Sequence, residues 1–125
     1  LKSFRNADGD TLYFCHKGQG HILTEFGLLD YRAGSYINMP KCLQHTIVAD
    51  QDTVFLVIES RNSMYREPDR GMVGKNAFYD PQAFGRPNLD RQQDFLKKLK
   101  SSVTEILVKR WDQPTRFKYS SNVYD

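Results

Sequence analysis

The sequence predicts a mainly β protein that forms one small barrel or sandwich and ends in a less regular C-terminal region. Turn-forming residues recur at short intervals within residues 1–60, a spacing typical of short antiparallel strands. The segments between these turns are rich in β-branched, aromatic and aliphatic residues, which favour strands. With 125 residues, the chain has the length of a single domain and is too short for two complete ones.

Turn signals divide the first half of the chain at Asp8-Gly9-Asp10, Lys17-Gly18-Gln19-Gly20, Phe26-Gly27, Ala33-Gly34 and Pro40-Lys41. The segments between and after these turns predict strands over Thr11–His16, His21–Glu25, Leu28–Arg32, Ser35–Met39, His45–Val48 and Thr53–Ser60. Because the connections are tight, we expect these strands to pair with one another as a barrel or a sandwich.

The last of these segments contains a continuous apolar run, Val54-Phe55-Leu56-Val57-Ile58. A strand with one face in water alternates between apolar and polar residues, whereas a strand buried on both faces is apolar throughout. The run therefore predicts a central strand that is buried on both faces.

Residues 61–88 lack a periodic pattern and carry many helix- and strand-breaking residues, namely Pro68, Gly71, Gly74, Pro81, Gly85 and Pro87. Aromatic residues are spaced through the same stretch, at Tyr65, Phe78, Tyr79 and Phe84. An irregular segment of this length in a compact domain is usually functional or packs against another surface. The spaced aromatic residues favour a segment that lies pinned on a surface.

A short helix is predicted over residues 90–100, because Phe95, Leu96 and Leu99 have helical spacing. Asp90 is a candidate N-cap, since its carboxylate can accept hydrogen bonds from the free N–H groups of the first turn. Lysines near the end of the segment suit the negative end of the helix dipole.

The rest of the chain predicts further strands. Residues 103–111 carry apolar side chains in both phases of an alternating pattern, which favours a strand, and residues 116–119 predict another. The predicted organisation is a β-barrel core over residues 1–60, followed by residues 61–125 as an irregular extension with a short helix and closing strands.

The composition argues against nucleic acid and membranes as partners. The formal net charge is +3, but the basic residues of the last third are interrupted by acidic ones and accompany no nucleic-acid-binding motif, so we interpret them as a solvated surface. No apolar run approaches the roughly 20 residues of a membrane span. The opening residues lack the apolar core of a signal peptide, which predicts a cytoplasmic protein or an internal piece of one.

The chain contains two cysteines, Cys15 and Cys42. Without an export signal, two reduced and buried thiols are expected rather than a disulfide. Two cysteines alone cannot form a structural zinc site. The sequence gives neither cysteine an obvious Cys-His activation context, so a nucleophilic role is left open but has no support.

The spacing of glycine, proline and histidine resembles that of a cupin. Gly18-Gln19-Gly20 forms the first part of the pattern. Gly34, Pro40 and His45 follow at the spacing of the second cupin motif, and Cys42 stands where that motif usually has its second glycine. The resemblance implies a jelly-roll barrel.

Metal-binding cupins use two His and one Glu of the first motif and one His of the second, because a divalent ion needs several converging donors. In this sequence Thr11 stands at the Glu position, and Arg5-Asn6-Ala7 stands where the two His would lie. His45 is therefore the only conventional ligand left, a vestigial cupin position that alone cannot hold iron or zinc.

The other candidate polar residues have ordinary structural interpretations. His16 and His21 flank the Gly-x-Gly turn and are expected at a barrel rim or in solvent rather than as a metal pair. The aspartates sit in turns, where Asp is favoured for backbone hydrogen bonds; they are Asp8, Asp10, Asp50 and Asp52. No residue is assigned a catalytic, cofactor-binding or metal-binding role.

Several segments, taken together and in order, are similar to the N-terminal domain of homogentisate 1,2-dioxygenases: Arg5-Asn6-Ala7-Asp8-Gly9-Asp10, Gly18-Gln19-Gly20, Thr24-Glu25-Phe26-Gly27, Gly71-Met72-Val73-Gly74-Lys75-Asn76 and Asp80-Pro81-Gln82-Ala83-Phe84. The end of the chain, Tyr119–Asp125, resembles the family's segment that leads into a second cupin, with Val123 in place of a proline.

This resemblance implies that the intact protein cleaves the aromatic ring of homogentisate in tyrosine and phenylalanine catabolism. In the family, Fe(II) is bound by two His and one Glu of the second cupin, and no position of this chain matches those ligands. The resemblance further implies a homo-oligomer in which this segment packs against the second cupin and neighbouring subunits, and predicts that the segment itself is inactive. The sequence leaves open a stand-alone, metal-free cupin that serves as a binding or structural module. A cupin isomerase or epimerase that uses His45 or a Tyr is a third hypothesis.

Overall fold

A computed structural model describes residues 1–67, 69, 71–76, 78 and 80–125, with residue 75 described by its backbone alone. The strands within these ranges are β1 (Lys2–Asn6), β2 (Asp10–Lys17), β3 (Gln19–Thr24), β4 (Gly27–Arg32), β5 (Tyr36–Met39), β6 (His45–Ala49), β7 (Val54–Ser60), β8 (Glu105–Arg110) and β9 (Gln113–Lys118). An α-helix, α1, spans Leu89–Lys98, and short 3-10 helices span Gly71–Asn76 and Pro81–Ala83.

The strands form two sheets, which confirms the predicted mainly β fold and is consistent with a cupin-like architecture. The large sheet has the order β4-β3-β6-β1-β8-β9, and the small sheet has the order β5-β2-β7. The predicted strands between residues 11 and 60 are present with shifts of one or two residues at their ends. β1 was not predicted, and it joins the two parts of the large sheet by pairing antiparallel with β6 and parallel with β8.

The main hydrophobic core lies between the inner faces of the two sheets. Its buried members are Tyr13, Cys15, Ile22, Tyr31, Ile37 and Met39. Phe55 of β7 is partly buried against this core, with its ring centroid 5.0 Å from that of Tyr31 and 5.7 Å from that of Tyr13. Tilted and edge-on ring pairs at these distances are favourable beyond the area that they bury.

A second layer covers the outer face of the large sheet. Helix α1 and the C-terminal residues pack there, in a cluster of Leu23, Leu28, Val48, Phe95, Leu96, Leu99, Val103, Val123 and Tyr124. The buried side chain of Gln92 fixes the helix to β3, because its Nε2 donates to the Thr24 carbonyl at 2.9 Å and its Oε1 accepts from the Thr24 N–H at 3.1 Å.

The predicted helix is confirmed, but its first turn is capped by another residue. Asn88, not Asp90, is the N-cap, and its side chain accepts a hydrogen bond from the N–H of Arg91. Asp90 lies inside the first turn, where a negative charge still suits the helix dipole. No helix among the described residues is long and apolar enough to cross a membrane.

The prediction that residues 54–58 form a central strand buried on both faces is wrong. β7 is the edge of the small sheet and, within the described part of the chain, pairs only with β2. Four residues of the run are between 43% and 57% exposed, namely Val54, Leu56, Val57 and Ile58. A continuous apolar run indicates that both faces of a strand are apolar. It does not indicate whether other residues of this chain pack against those two faces.

Candidate functional site

The interior of the sandwich contains the one histidine that the cupin spacing singled out. His45 begins β6 and is only 2% exposed. Its Nδ1 lies 3.2 Å from the Leu43 carbonyl, and its Nε2 lies 2.8 Å from the hydroxyl of Tyr13. Since a carbonyl only accepts, we place the ring hydrogen on Nδ1, and the Tyr13 hydroxyl then donates to Nε2.

The surroundings of this pair favour its neutral form. Burial lowers the pKa of His45, although the hydrogen bond to the Leu43 carbonyl opposes the shift, and burial raises the pKa of Tyr13 to about 12. The ring of Phe4 packs edge-on against His45, with centroids 5.7 Å apart. The Nε2 lone pair, which a metal would need, is already occupied by a hydrogen bond.

Thr11, at the cupin Glu position, is bonded to Asn6, which lies in the segment that replaces the two cupin His. The buried Nδ2 group of Asn6 donates to Thr11 Oγ1 at 3.0 Å and to Glu59 Oε1 at 2.9 Å. Asn6 and Thr11 are neutral, and Glu59 is held by the side chain of Lys109 at 2.7 Å. Among the described residues, no group of three or more His, Cys, Asp or Glu side chains could hold a metal ion.

Lys109 joins the two sheets at the same end of the sandwich. Its Nζ lies 2.7 Å from Glu59 on β7, 2.9 Å from Asp8 and 3.2 Å from Asp112. Burial alone would lower the pKa of Lys109, but the hydrogen bonds to Glu59 and Asp8 outweigh that effect and raise it. This ion cluster, which also includes Arg61 bound to Asp112, ties β7 to β8.

Asp8 has a role beyond its own turn, which the sequence did not predict. Besides binding Lys109, its carboxylate accepts hydrogen bonds from the N–H groups of Trp111 at 2.6 Å and Asp112 at 3.1 Å. Both residues have positive φ, 52° and 57°, as in the mirror-image turns that join tight hairpins. The bond to Lys109 and the turn N–H groups lower the pKa of Asp8 to about 2.

His16 and His21 do not form a pair, because His16 ends β2 in the small sheet and His21 lies on β3 in the large sheet. His16 is exposed, as predicted. His21 contacts carboxylates through both ring nitrogens, with Nδ1 at 2.8 Å from Asp30 and Nε2 at 3.5 Å from Asp50. The guanidinium of Arg91 on α1 binds the same Asp30 at 2.8 and 3.1 Å, so this cluster attaches the helix to the sheet.

The two cysteines are free thiols in different environments. Cys15 is fully buried in the core, and its Sγ lies 3.4 Å from the carbonyl of Lys17. Cys42 is exposed and has a φ of 67°, so the expectation that both thiols are buried is wrong for this residue. Its position replaces a glycine of the cupin motif, and the positive φ explains why glycine is suited to that position.

The fold and the interior define a mainly β, cupin-like sandwich whose ligand positions are filled by hydrogen-bonded side chains. Residues 1–113 match the family model described as homogentisate 1,2-dioxygenase N-terminal. The chain belongs to this family, as its motifs predicted.

Three curated relatives, all named homogentisate 1,2-dioxygenase, match the chain. The protein of Dictyostelium discoideum is 30% identical over 86 residues, which is 69% of this chain and 20% of that protein. The protein of Bradyrhizobium diazoefficiens is 24% identical over 107 residues, or 85% of this chain and 22% of the relative. The protein of Legionella pneumophila is 29% identical over 87 residues, or 69% of this chain and 21% of the relative. The matched part is thus about a fifth of each relative.

Proposed function

We propose that this chain is a non-catalytic, structural part of a homogentisate 1,2-dioxygenase. The intact protein would open the aromatic ring of homogentisate in tyrosine and phenylalanine catabolism in the cytoplasm. The observation that carries the proposal is the hydrogen-bonded interior. Thr11 at the cupin Glu position, His45, and Asn6 within the segment that replaces the two cupin His bond to neighbouring side chains instead of converging on a vacant centre.

The donor set of this chain does not fit ferrous iron. A divalent iron site in such a barrel needs several anionic or imidazole donors directed at one point. Here His45 Nε2 accepts from Tyr13, and Asn6 and Thr11 supply neutral side chains bonded to each other. The Fe(II) that activates oxygen in the intact enzyme would be held by another part of the polypeptide, and no step of the chemistry is assigned to this segment.

The proposed role of the segment is to support that other part and the neighbouring subunits of a homo-oligomer. Several large apolar side chains of the C-terminal half are at least half exposed in the chain as described: Met64, Met72, Val73, Phe78, Phe84, Trp111 and Tyr119. Tyr79, which was predicted to belong to the same set, lies outside the described residues. Apolar groups of this number are typical of surfaces that other protein covers.

The alternative function is a stand-alone binding or structural module. Its support is the second layer of the fold, in which α1 and residues Val103, Val123 and Tyr124 complete a hydrophobic cluster on the large sheet. The isomerase hypothesis has less support, because His45 is 2% exposed and the pKa of Tyr13 is raised by burial. An acid–base catalyst must reach its substrate.

The decisive experiment replaces His45 by Gln in a full-length homogentisate dioxygenase that contains this segment. Iron content and kcat for homogentisate-dependent oxygen uptake should stay at wild-type levels in the fraction that is folded, while the melting temperature falls. Tyr36→Phe, a change on the exposed outer face, serves as the control for handling and stability. Loss of iron or of kcat without a loss of stability would show that His45 belongs to the catalytic centre and would refute the proposal.

A further inference from the structure

The two sheets of the sandwich differ in width, and the difference lies on one side. The large sheet contains six strands and the small sheet three. The core between the sheets involves β3, β4 and β6 of the large sheet. At the other edge of that sheet, every residue of β9 is exposed. The sandwich is therefore open between β7 and β9, within the described part of the chain.

The free edge of β7 has apolar side chains on both faces. Val57 pairs with the core residue Tyr13 and so points inward, yet Val57 is 54% exposed. Leu56 and Ile58 point to the outer face, as side chains alternate along a strand. Soluble proteins usually protect an edge strand with charges, a proline or a covering segment. Val57 therefore leaves apolar surface uncovered at this edge, within the described part of the chain.

The segment after β7 crosses the sheet instead of extending it. The N–H of Tyr65 donates to the carboxylate of Asp10 at 3.0 Å, and the Tyr65 hydroxyl donates to the Ile58 carbonyl at 3.1 Å. Asp10 lies on β2 in the phase opposite to the core residue Tyr13, so this segment runs over the outer face. Within the described part of the chain, this segment occupies the Ile58 carbonyl and leaves the edge from Val54 to Val57 uncovered.

The surface beside this edge is positively charged. On β1, β8 and β9 the inner face continues from Phe4 and Leu107 to a group of charged residues, namely Lys2, Glu105, Arg116 and Lys118. Glu105 is shared between Arg116 at 2.7 Å and Lys2 at 3.8 Å, so the cations exceed the carboxylate in this group. At the other end the opening is closed by the bond from Lys109 to Glu59.

We propose that the edge of β7 and the inner face of β8–β9 bind one additional β-strand, supplied by another part of the full-length polypeptide. This inference rests on the proposed function and names the kind of contact by which the segment supports the rest of the enzyme. The strand continues the small sheet, with apolar side chains beside Leu56 and Ile58 and a carboxylate opposite Arg116 and Lys118. Strand addition to an exposed edge gains main-chain hydrogen bonds and burial of alternate side chains.

A strand of the same polypeptide fits this site better than a second copy of the chain. The chain matches only about a fifth of its relatives, so a longer polypeptide has ample length to supply a strand. A single strand needs only the space next to β7.

The test uses hydrogen exchange of the chain with two probe peptides, one of alternating Val and Glu and one of alternating Val and Lys. The Val–Glu peptide should slow amide exchange in residues 54–58 and leave exchange elsewhere nearly unchanged. The Val–Lys peptide should bind about tenfold more weakly, which corresponds to one lost charge pair. Exchange of β7 that neither peptide slows would overturn the inference.

Charge reversal provides the second arm. Arg116→Glu combined with Lys118→Glu should reverse the preference, so that the Val–Lys peptide binds more tightly. Lys97→Glu combined with Lys98→Glu makes the same change in net charge on α1, at the outer face of the large sheet, and should leave the preference as in the wild type. Equal effects of the two double variants would show that only overall charge matters and would reject the site. Circular dichroism melts confirm that each variant is folded.

Two further outcomes separate this inference from the proposed function. Concentration-dependent protection of residues 54–58 without any peptide would identify a second copy as the occupant and overturn the strand assignment. The other outcome is that the full-length His45→Gln protein keeps its iron and kcat while neither peptide binds to the chain at β7. That combination would support the proposed structural role and refute only the strand site.

Discussion

The hydroxyl of Tyr13 lies 2.8 Å from Nε2 of His45, so a hydrogen bond occupies the position at which a metal-binding cupin would direct a ligand. The two residues belong to opposite sheets, β2 and β6. Their bond therefore joins the small sheet to the large one inside the core, and its strength can be measured by removing one atom.

Tyr13→Phe removes the hydroxyl and leaves Nε2 of His45 buried without a partner. The expected loss is about 1–3 kcal/mol in the free energy of unfolding, since an unsatisfied buried polar group retains its desolvation penalty. Urea denaturation measures this loss. Tyr36→Phe removes the same atom from an exposed ring and should change stability by less than about 0.5 kcal/mol. Equal stability of the two variants would contradict the hydrogen-bond assignment.

The sequence predicted most strands because turn residues and β-rich segments alternate regularly between residues 8 and 60. β1 was missed, since Lys2-Ser3-Phe4-Arg5-Asn6 is too polar to give a strand pattern. It forms because neighbours on both sides, β6 and β8, satisfy its backbone groups. Tertiary pairing of this kind leaves little local signal.

The side-chain contacts inside the sandwich were harder to predict from the sequence than the fold was. Spacing identified His45, but nothing in the sequence joins Tyr13 to it, because the two residues are 32 positions apart and meet only across the sandwich. The same holds for Lys109 and Glu59, which are 50 positions apart. Edge exposure of β7 was also unpredictable, because it depends on which strands lie beside it.

The chain should not bind a transition metal in near-stoichiometric amounts. Asn6 and Thr11 are poor ligands, and His45 supplies a single nitrogen that already accepts a hydrogen bond. Elemental analysis after mild chelation measures the metal content. Near-stoichiometric iron, zinc or manganese that disappears in His45→Ala would contradict this expectation.

The free energy of unfolding should fall as the pH is lowered below the ordinary histidine pKa of 6.5, because burial holds the pKa of His45 below that value in the folded chain. The unfolded chain takes up a proton in this range and the folded chain does not, so the contribution of His45 is complete above about pH 6.5 and is lost as the pH falls toward the folded pKa. His45→Gln should flatten the dependence in that window, whereas His16→Gln at an exposed position should leave it unchanged. Parallel curves for wild type and His45→Gln, measured as melting temperature against pH, would show that His45 takes up its proton equally in the folded and the unfolded chain and would contradict the prediction.

Asp8→Asn should lower the melting temperature at neutral pH more than Asp52→Asn does, because Asp8 binds both Lys109 and the turn at Trp111 and Asp112. The pKa of Asp8 is lowered from 3.8 to about 2. Its contribution is therefore complete above about pH 4 and is lost as the pH falls toward 2. The difference between wild type and Asp8→Asn should narrow over that interval, which melts at successive pH values can follow. A difference that stays constant down to pH 2 would mean that charge is not the cause.

Gly27 and Gly34 both have positive φ, 127° and 89°, but only Gly27 is also crowded. A Cβ atom at Gly27 would lie 2.6 Å from the backbone N of Leu89, whereas nothing lies within 4 Å of one at Gly34. Gly34→Ala should therefore cost about 1–3 kcal/mol from backbone strain alone. Gly27→Ala should cost more, because it adds a clash with the first turn of α1.

The part of the chain in which Gly27→Ala loses stability distinguishes backbone strain at Gly27 from the steric clash with α1. Main-chain hydrogen bonds join Leu28 and Asn88 at 2.9 and 3.0 Å, so displacing Asn88 removes both these bonds and the cap of α1. Amide exchange in α1 should rise in Gly27→Ala by more than the global loss of stability accounts for, and should follow global stability in Gly34→Ala. Gly85→Ala, at an open position whose φ is not positive, provides the control and should be near neutral. Uniform acceleration across the chain in Gly27→Ala would show that α1 does not depend on this contact for its attachment.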